Sequence, residues 1–164
     1  LTDDDDPIWN VGLNPNLPID LNVNTGTGSA NLDLETLQIS KLRVNAGTGS
    51  ITISLPNMES AYDATLSTGT GSVTLSIVDG TAVSLNVNTG TGGATIDVPD
   101  DAAVRLDASV GTGSINVPSW MRRVSGDEER FIGDDGIWES DGYAGAERQI
   151  NINFDGGTGS ITLR

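Results

Sequence analysis

The chain has 164 residues, of which 36% are hydrophobic and only 4% aromatic, with 21 glycines and neither cysteine nor histidine. This is one domain's length with few apolar residues, a composition that suits short strands and tight turns rather than a helical bundle. A formal net charge of −15 argues against nucleic acid or an anionic membrane surface as partner. No hydrophobic run is long enough to span a bilayer, and the missing His and Cys remove the usual general base, thiol nucleophile and most transition-metal ligands.

Residues 1–17 read as an acidic N-terminal arm or cap. They hold Asp3, Asp4, Asp5 and Asp6, then Trp9, then the turn-like Asn14-Pro15-Asn16. The chain begins at Leu1 rather than Met, so it reads as processed or excised from a longer precursor.

From residue 18 a repeat takes over. Gly-Thr-Gly triplets begin at Gly26, Gly47, Gly69, Gly90, Gly111 and Gly157, the first five spaced by 21 or 22 residues and the last by 46. Five residues before each first glycine stand Leu21, Leu42, Ala64, Leu85, Leu106 and Ile152. Four residues after it stand Ala30, Ile51, Val73, Ala94, Ile115 and Ile161. Polar residues such as Asn22, Arg43, Thr52 and Thr74 fill the positions between apolar columns. Period-two alternation on both sides of a turn predicts strand, turn, strand with one face buried. A unit of this size cannot bury its face alone, so the repeats are expected to stack, each column in register with its copy one rung away. The expected fold is therefore all-β: a parallel single-stranded β-helix, or β-solenoid, of about six rungs of ~21 residues over 18–164.

The 46-residue interval contains an insertion, 118–149, before the last rung. It carries Trp120, Phe131, Trp138 and Tyr143, aromatics that the central rungs lack. A solenoid has two open ends with unpaired strand edges that must be capped or paired with another molecule. Trp9, Trp120, Phe131, Trp138 and Tyr143 are accordingly expected to cap an end or contact another subunit.

The columns, exemplified by Leu42 to Ile53, and the ending Trp138-Glu139-Ser140-Asp141-Gly142-Tyr143 followed by Ile150 to Ile161 resemble the bacterial toast-rack or adhesin-type β-solenoid domains. They are also similar to the related extracytoplasmic domain of LiaF-like cell-wall-antibiotic response proteins. The resemblance spans roughly Leu17 to Arg164. It implies a β-helix carried outside the cell membrane, with adhesion or envelope-stress roles.

Other chemistries fit poorly. The Gly-x-Gly turns are followed by strands, not by the helix that phosphate binding needs. Carboxylates in turns suit hard cations, so Asp3, Asp4, Asp5, Asp6, Asp100, Asp101, Asp134 and Asp135 are candidate ligands for a structural Ca²⁺, although no spacing matches an EF-hand. No catalytic residue and no organic cofactor is expected. The expected role is a non-enzymatic extracellular or cell-envelope structural or adhesin-like module that self-associates through its solenoid ends into a homo-oligomer or fibre, with a cell-surface or glycan partner a further possibility. A ligand-binding or envelope-stress-sensing domain of a membrane-anchored protein is the alternative. A carboxylate-dependent polysaccharide-acting enzyme is a third.

Overall fold

The computed structural model describes residues 9–58, 60–126 and 133–164. Its first strands are β1 (Pro18–Thr27), β2 (Ala30–Asp33), β3 (Gln38–Thr48), β4 (Ile51–Leu55), β5 (Tyr62–Thr70) and β6 (Val73–Ile77). They are followed by β7 (Val83–Thr91), β8 (Ala94–Asp97), β9 (Val104–Thr112) and β10 (Ile115–Asn116). The chain ends with β11 (Met121–Ser125), β12 (Asp134–Ser140), one short 3₁₀ turn at Tyr143–Gly145, β13 (Ile150–Thr158) and β14 (Ile161–Leu163). No α-helix occurs among the described residues.

Each Gly-Thr-Gly triplet lies where a long strand hands over to a short one. The long strands form an eight-stranded sheet in the order β1-β3-β5-β7-β13-β9-β12-β11, and the short ones a six-stranded sheet in the order β10-β14-β8-β6-β4-β2. Pairing within both is parallel except at β12, which runs antiparallel to β9 and to β11. This is the architecture of a β-solenoid. The apolar columns meet between the sheets: Leu42, Ile53, Ala64, Leu75, Leu85, Ile96 and Leu106 are fully buried. Leu34, Leu55, Ala82 and Val98, on or beside the return loops, close the third side.

The turn glycines are fixed by contact with the neighbouring rung. At Gly49, Gly71, Gly92, Gly159 and Gly113, φ lies between +136° and +148°. A Cβ added there would lie 1.6 to 1.8 Å from the carbonyl oxygen of the matching glycine in the adjacent rung. That neighbour is backbone, held by its own bonds, and cannot give way. Gly49 N donates to Thr70 O at 2.9 Å, Gly71 N to Thr91 O at 2.8 Å and Gly92 N to Thr158 O at 2.8 Å, so the ladder continues around the corner.

The repeats do not stack in chain order. β13 inserts between β7 and β9, and β14 between β8 and β10. The glycine contacts agree: Gly159 abuts Gly92, and Gly113 abuts Gly159. The cause is the insertion. β12 occupies the outer edge of β9, where a sequentially stacked last repeat would have paired. The loop from Val98 to Ala103 instead steps across a vacant position, which the C-terminal repeat fills, with Ile150 N donating to Ala103 O at 2.9 Å and Val98 N to Arg164 O at 2.8 Å.

Candidate interaction surface at the sheet edges

The two ends of the stack differ. At the first, β1 and β2 have no rung beyond them among the described residues. Their apolar columns stop short of full cover: Ile19, Leu21, Val23 and Leu32 are only partly buried, whereas Ile39, Leu42, Val44 and Ile53, one rung in, are sealed. The glycines tell the same story, since a Cβ on Gly26 or Gly28 would meet nothing within 4 Å.

At the second end the insertion provides a lid. β12 lies across β9, facing Trp138 to Leu106 and Gly136 to Ala108, and β11 forms the outer edge. Trp138 is buried in the core, and Trp120 packs against it from the margin. The Arg123 guanidinium sits 5.1 Å from the centre of the Trp138 ring and 3.5 Å from Asp134. Ser140 Oγ accepts from Val104 N at 2.9 Å, tying the hairpin to the start of β9.

The aromatic candidates therefore separate. Trp138 is buried and Trp120 is half-buried against the core. The Tyr143 hydroxyl donates to Asn151, and Gln149 Nε2 donates to the Tyr143 carbonyl at 2.9 Å, anchoring the 3₁₀ turn beside β13. Trp9 is 85% exposed, and Phe131 lies outside the described residues.

The acidic candidates are scattered. Asp100 and Asp101 are exposed between β8 and β9, Asp134 and Asp135 begin β12, and Asp3, Asp4, Asp5 and Asp6 lie outside the described residues. Among the described residues no group of three or more Asp, Glu, His or Cys is placed to hold a metal ion. The outward face of the large sheet does carry Asp107, Asp155 and Asp135, in shallow open depressions shared with Asn86, Asn88 and Ser109.

What sequence reading missed is where exposed apolar surface collects. Among the described residues, the large hydrophobic side chains classed as exposed are Trp9, Val11, Leu13 and Leu17, at 85, 76, 39 and 57%, and Val124 at 46%. The first four precede β1, and the fifth is on β11. Every one belongs to an outer edge of the eight-stranded sheet or to the segment leading into it. Trp9, Val11 and Leu13 alternate with Asn10 and Gly12, a strand-like pattern with no strand partner among the described residues.

Comparison with known proteins points to one fold. Residues 2–77 match the family model described as the N-terminal domain of toast_rack, DUF2154. A solved structure from Clostridium sporogenes ATCC 15579, described as a "putative cell adhesion protein", aligns with a TM-score of 0.70 over 88% of this chain and 91% of that one. At 18% identity, that likeness is one of fold. No curated protein matches the chain. Among the described residues, no helix is long and apolar enough to cross a membrane.

Proposed function

We propose that this chain, which carries a toast-rack domain, is a non-enzymatic structural or adhesin-like module of the cell envelope, a six-rung stack that self-associates through its ends. The observation that carries this reading is the confinement, among the described residues, of exposed large hydrophobics to the edges of the eight-stranded sheet and the approach to β1. Scattered apolar residues are ordinary on a monomer, but a set gathered at unpaired strand edges marks a contact surface. The fold it shares with a protein described by the words cell adhesion supports the envelope setting. The absence of His and Cys from the sequence, and the open setting of Asp107 and Asp155, support a role without catalysis.

The test is the mass of the purified chain by light scattering and sedimentation velocity from micromolar to millimolar, with and without Ca²⁺, followed by electron microscopy. Growth of mass with concentration is expected. A chain that stays monomeric throughout overturns the reading.

A further inference from the structure

One row of side chains crosses all eight strands of the large sheet on its outward face. Strand pairing aligns Asp20 with Lys41, Lys41 with Asp63, and Asp63 with Ser84. It then aligns Ser84 with Asn151, Asn151 with Arg105, Arg105 with Glu139, and Glu139 with Arg122. Read from edge to edge, the charges run minus, plus, minus, two neutral residues, plus, minus, plus. Directly opposed residues on one face interact, and opposite charges there stabilise the pairing. The Arg105–Glu139 step is a formed ion pair.

The row ends on opposite signs. Asp20 stands at the β1 edge, exposed, and Arg122 at the β11 edge, where its side chain is 69% exposed and lies 3.7 Å from Asp141, itself 94% exposed. β1 contains no cation and β11 no carboxylate. Strand direction matches too. β12 is antiparallel to β9 and β11 antiparallel to β12, so β11 runs the same way as β9 and every other long strand, β1 included. The reversal at β12 is thus undone at β11.

We propose that the β11 edge receives the β1 edge of a second copy of this chain, in parallel, with Arg122 facing the second copy's Asp20. This rests on the self-association reading above and gives it a polarity. The same register sets Met121 opposite the second copy's Ile19, covering an apolar column that is only partly buried in the single chain, and Arg123 opposite its Leu21. Exposed Val124 on one edge and Leu17 on the other flank the contact. The contact is heterologous: each copy uses one edge as donor and leaves the other free. Repeated without closure it builds a filament along the stack axis, extending the sheet and its charge alternation.

Two exposed charges provide the test, since neither Asp20→Arg nor Arg122→Asp touches the core. Circular dichroism and the thermal midpoint of each variant confirm the fold first. Sedimentation velocity is then run on wild type, each single variant, the Asp20→Arg/Arg122→Asp double variant, and an equimolar mixture of the two singles. Each single variant should associate about tenfold more weakly than wild type, because an opposite-charge pair becomes a like-charge one. The double variant and the mixture should recover most of the lost association, since every contact in the double variant, and every contact between unlike copies in the mixture, again pairs opposite signs. Association of Arg122→Asp at wild-type strength, or no recovery in the mixture, overturns the β1-to-β11 pairing while leaving self-association standing. A wild type that never associates overturns both.

Discussion

Gly26 and Gly90 occupy the same column of the repeat, yet the structure assigns them different consequences. A Cβ on Gly90 would stand 2.4 Å from the Gly69 carbonyl oxygen, whereas one on Gly26 would meet nothing within 4 Å. Gly90→Ala should therefore cost more than about 3 kcal/mol, because two hydrogen-bonded backbones must separate, and Gly26→Ala should stay within about 1 kcal/mol. Chemical denaturation of both variants checks this, and equal losses would refute the stacking account of the column. Phe154 shows a second local adjustment. It fills a column occupied elsewhere by Val, Leu or Ala, lies between Val87 and Ala108, and leaves so little room that a Cβ on Gly156 would come within 2.8 Å of its ring. Gly156 thus replaces the Thr found at Thr25, Thr68 and Thr89. Tyr62 is the buried ionisable group: its hydroxyl donates to the Pro56 carbonyl at 3.0 Å, and burial pushes its pKa well above the ordinary value of 10.0. The folded chain keeps this phenol protonated while the unfolded chain ionises near its ordinary value, so unfolding releases a proton above about pH 10. The contribution is complete below that pH and is lost as pH rises. The thermal midpoint of wild type should fall faster above pH 10 than that of Tyr62→Phe; parallel curves would count against the assignment.

Strands and turns were legible in the sequence because each is a local matter. Leu42, Val44, Ile51 and Ile53 alternate with polar residues over a span shorter than one repeat, and their burial follows from that alternation. The order of the strands was not legible, because β13 could satisfy its pattern beside any rung. Its place is visible only in the pairing: β12, a segment outside the repeat, holds one edge of β9, and β13 fills the position between β7 and the other edge. The edge surface was legible only in part. Trp9 and Trp138 both looked like end residues, but only the antiparallel pairing of β12 with β9 turns Trp138 inward and leaves Trp9 out. The charge row was hidden for a similar reason: Arg105 and Glu139 are 34 residues apart, and their pairing exists only once the hairpin is docked. The placement of β13 carries a prediction for this scale. It is bonded on both sides, to β7 and β9, while β1 and β11 are bonded on one. Backbone amides of β13 should exchange only through global unfolding, and those of β1 and β11 through local opening at much lower free energy. Hydrogen exchange read strand by strand checks this. Fast exchange in β13 would mean that the C-terminal repeat is an appended rung and not a keystone.

For the whole molecule, the net charge of −15 opposes both folding and assembly, whereas the alternating row favours the edge contact. A chain of net charge −15 repels itself when compact, and that repulsion is relieved by salt. The screening length shrinks from about 10 Å at 0.1 M to about 3 Å at 1 M, which mutes the diffuse repulsion across the body. Raising ionic strength at neutral pH should therefore raise the thermal midpoint of the isolated chain. The edge contact has a different balance. Salt mutes the repulsion between the two approaching polyanions and leaves the apolar contact of Ile19, Leu21 and Val124 in place, while the single Arg122–Asp20 pair, exposed on the outward face, loses. Net repulsion between copies dominates at low salt, so association should strengthen as salt first rises. The charge-reversal variants separate the two terms. The gap in association constant between wild type and Arg122→Asp should be widest at low ionic strength and close toward 1 M, even as association of both increases. Sedimentation of the two chains across a salt series measures that gap. A gap that does not narrow would mean that Arg122 acts through shape and hydrogen bonding at the edge and not through the alternation of charge that the row displays.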